Sequence, residues 1–277
     1  QAPPRRRRAP SKPMSPRIVS LVPSLTELLC ELGLRDHLVG RTGFCIHPRA
    51  SLRDVPKVGG TKDVDVERVR ALAPTHLVVN VDENDRETVE RLAGFVPDVI
   101  VTHPLTVADN LALFDRFADE FAAVPGVRAR AAAWSARLRE ALARAQARRF
   151  EPLPVLYLIW KDPWTSVGRA TFIASMLAQA GIRSVIDAAL PRYPTLTLDQ
   201  IAASGARAVL LSSEPYRFDE RHCAALGEAL GERLGGAAPT CATIDGEMAS
   251  WYGSRAIEGI DYLVGYRERL ERALEPL

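Results

Sequence analysis

Short apolar runs alternate along the chain with segments whose apolar positions recur at helical spacing. Arg17-Ile-Val-Ser-Leu-Val-Pro23 is a continuous apolar run, the pattern of a strand covered on both faces. Ser24 then reads as a helix N-cap, with Glu27 completing a capping box and Gly33 as the stop. A short strand is predicted over 38–42, followed by a loop carrying Pro48, Pro56 and Gly59-Gly60. Asp65 caps a helix over 66–73 that ends at Pro74. Strands follow at 76–80 and 98–102, separated by a helix over 85–93, and Thr106 opens a longer helix toward Ala123. This alternation predicts a parallel sheet covered on both faces, with right-handed crossovers.

Residues 127–149 differ in character. They contain no proline or glycine and are dominated by alanine, arginine, leucine and glutamate, all strong helix formers. A helix of that length spans about 35 Å, with Trp134, Leu138, Leu142 and Ala145 as its apolar stripe. It reads either as a plain surface helix or as a strut between domains. The alternation then restarts. Strands are predicted over 154–160, 164–167, 184–186, 208–212 and 241–244, and helices over 171–180, 198–203, 219–230 and 254–274. The fold class is α/β: two Rossmann-like lobes, 15–124 and 151–277, joined by one long backbone helix over 125–150, after a basic tail over 1–14.

Composition narrows the function classes. Of 277 residues, 47% are hydrophobic and 25% charged, as in an ordinary globular protein, and 36 basic against 34 acidic side chains leave a net charge of +2. That balance gives no argument for nucleic acid. No run of about 18 apolar residues exists to span a membrane. The Arg5–Arg8 run sits in a proline-rich segment that cannot bury apolar surface, and it reads as a solvated tail rather than a contact for anionic partners. No apolar core follows Arg8 as a secretory signal would require, so either a signal was removed upstream or translation starts at Met14 and the protein stays inside the cell. Cys30, Cys45, Cys223 and Cys241 form no CxxC pair, which argues against a structural zinc site, and nothing demands a disulfide.

Nucleotide and hydrolase motifs are absent: no GxGxxG follows a strand, and there is no P-loop, GxSxG or HExxH. Ser254 reads as the N-cap of the last helix rather than as a nucleophile. His76 opens a buried strand and reads as a core or strand-end residue; His103 follows a strand and reads as a loop histidine. Phe44-Cys45-Ile46-His47-Pro48 follows a strand, where a thiolate or imidazole from Cys45 or His47 would suit a soft or borderline metal, although two donors are too few for a closed site. Only 6% of residues are aromatic, yet Trp160, Trp164, Trp251, Tyr252 and Tyr193 cluster near strand ends, where stacking would grip a flat ligand. Arg255 would pair with ligand carboxylates or phosphate.

Several segments together resemble a known family. Ile18-Val-Ser-Leu-Val-Pro-Ser-Leu-Thr-Glu-Leu28, Val39-Gly-Arg-Thr-Gly-Phe-Cys-Ile-His-Pro48, Val58-Gly-Gly60, Asp65-Val-Glu-Arg-Val-Arg-Ala-Leu-Ala-Pro74, Pro163-Trp-Thr-Ser-Val-Gly168 and Leu198-Asp-Gln-Ile201 are similar to segments of the helical-backbone periplasmic substrate-binding proteins of cobalamin and iron-chelate ABC importers. The resemblance covers about residues 15–275. It implies a monomeric carrier that holds a corrinoid, haem or ferric siderophore in a cleft between the lobes and delivers it to an ABC permease in the periplasm. By position, Phe44 and Trp164 fall at aromatic ligand contacts, and Glu67 at an acidic permease-docking position, with Glu247 as the second-lobe counterpart. The cobalamin binders' first-lobe tryptophans are replaced here by Thr61 and Asn80, which widens the implied ligand from cobalamin to related cobalt- or iron-bearing chelates, with no intrinsic cofactor. Two alternatives stand beside this reading: a cytoplasmic corrinoid- or metal-handling protein starting at Met14, and a thiol enzyme using Cys45 and His47, which would need a depressed thiol pKa.

Overall fold

The structure is a computed structural model and describes residues 15–275; the basic tail predicted over 1–14 lies outside the described residues. In the first half, β1 (Ile18–Ser20), α1 (Pro23–Glu31), β2 (Leu38–Arg41), α2 (Val66–Ala71), β3 (His76–Asn80), α3 (Arg86–Ala93), β4 (Asp98–Thr102) and α4 (Asp109–Glu120) follow one another. The four strands form a wholly parallel sheet in the order β2-β1-β3-β4. Val19, Leu21, Leu77, Val79, Val69 and Leu92 are buried together on one side of it.

The helix starts show where local sequence decides. Asp65 caps α2 as predicted, accepting from Arg68 N, and Asp85, read in the sequence as the first helical residue, is the cap of α3, accepting from Thr88 N. Ser24 does not cap α1. That helix begins one residue earlier at Pro23, whose fixed φ suits the first turn, and Ser24 lies buried inside it. Gly33, at φ 82°, turns the chain after α1 as the stop signal predicted.

Helix α5 (Val127–Ala147) is continuous. Its buried face runs through Val127, Ala131, Ser135, Leu138, Ala141 and Ala145, while Trp134 and Leu142 sit half-buried at the margin. Alanines let the helix pack closely, and the arginines remain outside.

The second half runs β5 (Leu153–Trp160), β6 (Trp164–Ser166), α6 (Phe172–Gln179), β7 (Ile182–Ser184), β8 (Thr195–Leu196), α7 (Leu198–Ala202), β9 (Ala208–Ser212), α8 (Glu220–Leu234), β10 (Thr240–Ile244), α9 (Gly246–Ser250) and α10 (Arg255–Leu274). The sheet order is β10-β9-β5-β6-β8, with β7 beside β5. Strands β10, β9, β5 and β7 are parallel, but β6 pairs antiparallel with both β5 and β8, so this sheet is mixed where the alternation predicted a parallel one. The short link 161–163 explains this: it is long enough for a hairpin and too short for a crossover. Ser254 again lacks the side-chain hydrogen bond of a cap.

The chain divides into two compact units. One holds the chain through His103 together with Phe117–Arg130, and the other holds Pro104–Arg116 and Ala131–Leu277. The boundary crosses both α4 and α5, which carry the chain from one unit into the other.

Candidate functional site

In each unit the strand order reverses beside a central strand, β1 in the first and β5 in the second, and ligands of open α/β sheets collect beyond the carboxyl ends of strands at such points. In the first unit, Phe44 stands beyond β2 with 63% of its surface exposed. Gly60 lies beside it: a Cβ there would lie 3.4 Å from the Phe44 ring. Ile46 and Val81 are exposed close by in sequence to β2 and β3. Beyond β4, His103 Nε2 lies 3.4 Å from Asp82 Oδ2.

Cys45 is placed differently from the accessible donor the loop suggested. Its side chain is wholly buried, receives the Thr26 hydroxyl at 3.0 Å, and lies 3.1 Å from Thr42 Oγ1. Burial pushes the thiol pKa up, against the smaller lowering by the Thr26 and Thr42 hydrogen bonds. A reactive thiolate needs the opposite shift, so the geometry opposes the thiol-enzyme alternative. His47 is half-buried beside it in sequence and keeps partial access to solvent. Among the described residues, Cys45 and His47 belong to no three-donor metal cluster.

In the second unit the loops after β5 and β9 form a set of rings. Trp160 is 43% exposed and meets Tyr216 edge-on at 5.6 Å. Tyr216 lies 4.5 Å from Phe218, and Phe218 stacks on Trp164 at 6.0 Å and 8°. Trp160 and Trp164 thus belong to one aromatic wall with Tyr216 and Phe218, two residues not singled out in the sequence. Their signal was available: Ser-Glu-Pro-Tyr-Arg-Phe follows an apolar strand, as the other aromatic loops do.

Trp251, Tyr252, Arg255 and Glu247 are drawn inward instead. Trp251 is 8% exposed and its indole N–H donates to Glu214 Oε2 at 3.0 Å. Tyr252 is buried edge-on against Phe172. Arg255 pairs with Glu247 at 3.3 Å and lies over the Trp251 ring at 5.1 Å. The Arg255–Glu247 pair ties α9 to the start of α10, while Trp251 and Tyr252 anchor the turn between them to Glu214 and to Phe172 of α6.

Glu67 stands differently, second in α2 after its Asp65 cap and 79% exposed at the side chain. Asp199 occupies the same place in α7 after the Thr197 cap, and its side chain is 86% exposed. Both helices lead into a parallel strand, β3 or β9. The equivalence is positional, so it emerges once α2 and α7 are aligned by their caps.

Residues 18–222 match the model of a family described as periplasmic binding protein. The chain belongs to the periplasmic binding protein family. It is 24% identical over 196 residues to the vitamin B12-binding protein of Photorhabdus laumondii, covering 71% of this chain and 70% of that relative. The vitamin B12-binding protein of Vibrio vulnificus is 22% identical over 199 residues, covering 71% of each. Among solved structures, the periplasmic haem-binding protein BhuT with two bound haems superposes with a TM-score of 0.78 at 23% identity, over 95% of this chain and all of that one. The periplasmic vitamin B12-binding protein BtuF of Vibrio cholerae superposes with a TM-score of 0.75 at 15% identity, over 92% of this chain and 98% of that one. The shared fold is that of two α/β lobes with a backbone helix, as the sequence predicts.

Proposed function

We propose that the chain is the substrate-binding component of an ABC importer, acting in the periplasm, and that its cargo is a metal-bearing tetrapyrrole, corrinoid or haem, or a related ferric chelate. The observation that carries this reading is the pair of solvent-facing aromatics at strand ends, Phe44 just beyond β2 in the first unit and Trp160 closing β5 in the second. Rings so placed offer flat apolar surface to a macrocycle, and few other side chains of that size remain exposed at strand ends. The named relatives bind vitamin B12 and the superposed BhuT binds haem, which supports the same cargo class here.

Within this reading His47 is the donor nearest the Phe44 wall in sequence and meets the metal of the cargo; Cys45 remains a core residue. Glu67 and Asp199 are the acids offered to arginines of the permease, one from each unit. The positional match of Asp199 to Glu67, and the exposure of both side chains beside their ion pairs with Arg233 and Arg70, are the reasons for preferring it over the largely buried Glu247.

The test is titration of the purified chain with haemin, cyanocobalamin and ferric siderophores, followed by tryptophan quenching and visible spectra. Saturable binding of one of them below about 10 μM is the expected result. No binding tighter than about 100 μM to any of the three would sink the cargo class.

A further inference from the structure

His76 opens β3 and Asp98 opens β4, and the two are direct partners in the parallel register. Parallel neighbours send their side chains out on the same face about 4.8 Å apart. Glu120, the last residue of α4, reaches the same point. His76 Nε2 lies 3.4 Å from Glu120 Oε1 and 3.9 Å from Asp98 Oδ2, and donor atoms of all three lie within 4.8 Å of one another. These residues sit at the amino-terminal ends of the strands, at the other end of this sheet from the Phe44 loop.

The ring orientation is fixed from behind. His76 Nδ1 is 2.7 Å from Thr75 Oγ1, which accepts the Arg17 N–H at 2.8 Å and donates to the Arg17 carbonyl at 3.3 Å. A hydroxyl has one proton; with it on the Arg17 carbonyl, Nδ1 carries a hydrogen and donates to Thr75. Nε2 then faces the Glu120 and Asp98 carboxylates, where it either carries a proton between them or gives its lone pair to a metal ion. Phe121, 5.0 Å from the imidazole centre, holds the ring in place. Glu120 also stands at a helix C-terminus, where the backbone dipole disfavours negative charge. An imidazole nitrogen and two carboxylates meeting at the end of a helix hold either a proton or a metal cation between them, and the spacing of the three donors suits the metal.

We propose that His76, Asp98 and Glu120 bind a divalent transition cation of the zinc type, at a site separate from the cargo loops. Ligands at the usual metal distance of about 2.1 Å stand about 3.4 Å apart around a tetrahedral ion. The His76–Glu120 pair already has that spacing, and Asp98, half-exposed, closes by a small side-chain rotation. One imidazole with two carboxylates favours zinc, cobalt or manganese over calcium or magnesium, which take all-oxygen shells. Three protein ligands leave a fourth position to water. Thr75 acts by fixing the tautomer, as partners of metal-bound imidazoles do.

The test uses the full chain, stripped with chelator and titrated calorimetrically with zinc chloride at neutral pH. One site with a dissociation constant on the order of 1–10 μM is expected. His76→Gln, Asp98→Asn and Glu120→Gln should each weaken it by at least about 10-fold, Thr75→Ala by about 10-fold, and His47→Ala not at all. Asp98→Asn changes an exposed carboxylate and keeps the test open if His76→Gln fails to fold. Imidazole nitrogen NMR gives a second readout: zinc should shift Nε2 while Nδ1 stays protonated. No site tighter than about 1 mM, or a His76 ring that stays doubly protonated in excess zinc, would show an imidazolium ion trio instead and overturn the proposal.

Discussion

Arg255 Nη1 stands 3.3 Å from Glu247 Oε2, and both side chains are largely buried, at 11% and 20% exposure. Arg255 also covers the Trp251 ring. Breaking such a pair strands a desolvated guanidinium, which costs more than the pair contributes when intact. Glu247→Gln should therefore lower stability by about 1–3 kcal/mol. Glu67→Gln, at an exposed position, should stay within about 0.5 kcal/mol of wild type. Urea unfolding of the two variants checks this; equal effects would remove the structural role assigned to Glu247.

The exposed and the buried aromatics should part company. Phe44→Ala and Trp160→Ala remove rings that face solvent, so each should weaken cargo binding by about 10-fold while leaving the melting temperature near that of wild type. Tyr252→Ala removes a ring packed on Phe172 and should cost about 2–4 kcal/mol of stability. Parallel ligand titration and thermal melts of the three variants would expose an error if Phe44→Ala destabilised and bound normally.

Alkaline pH should destabilise the chain through its cysteines. Burial raises the thiol of Cys30 from 9.0 to about 12, and those of Cys223 and Cys241 to about 11; Cys45 is raised too. The protonated thiol is the native form. Below the unfolded value of 9.0 both states hold their protons and the contribution is constant. Above it the unfolded chain releases protons that the native state keeps, so stability falls as pH rises from about 9 toward 11–12. Urea midpoints at pH 7.5 and 10.5 measure the drop, and Cys30→Ser should reduce it. A midpoint independent of pH over this range would contradict the assigned burial.

Gly259 on α10 faces α9 so closely that a Cβ would lie 2.2 Å from the Met248 carbonyl oxygen and 2.8 Å from Met176 Cε. The methionine can move and the carbonyl cannot. Gly259→Ala should destabilise by about 2–4 kcal/mol although alanine is the better helix former. Gly265→Ala, on the same helix with only an arginine tip at 3.4 Å, should be neutral or slightly stabilising. A neutral Gly259→Ala, measured by urea melts, would mean that α9 is not packed as described.

Charge reversal at Glu67 and Asp199 should impair uptake in cells while cargo affinity stays unchanged, because both acids stand on first turns with their side chains exposed to solvent, at 79% and 86%. The double reversal should be the more severe. Transport assays with the purified variants' binding constants alongside would separate docking from cargo binding; loss of affinity in step with uptake would assign these acids to the cargo site instead.

The sequence by itself determined the α/β class, the alternation of elements and the backbone helix, because periodicity, the cap at Asp65 and the stop at Gly33 are local properties of a few adjacent residues. It also placed Phe44 on a loop after a strand, and Trp160 and Trp164 at strand ends. It misread Ser24 as a cap, since a serine before an apolar segment looks alike whether it precedes the first turn or lies inside it, while Ser254 does stand at the N-cap of α10, though without a side-chain hydrogen bond. Tertiary structure alone decided which loop residues face solvent. Cys45 and Phe44 are neighbours in sequence, yet one is core and the other wall, because successive side chains in an irregular loop point wherever packing sends them. The Arg255–Glu247 pair depends on how α9 folds against α10. His76, Asp98 and Glu120 stand 22 positions apart or more in neighbouring steps, and only strand register and the end of α4 bring their donors to one point.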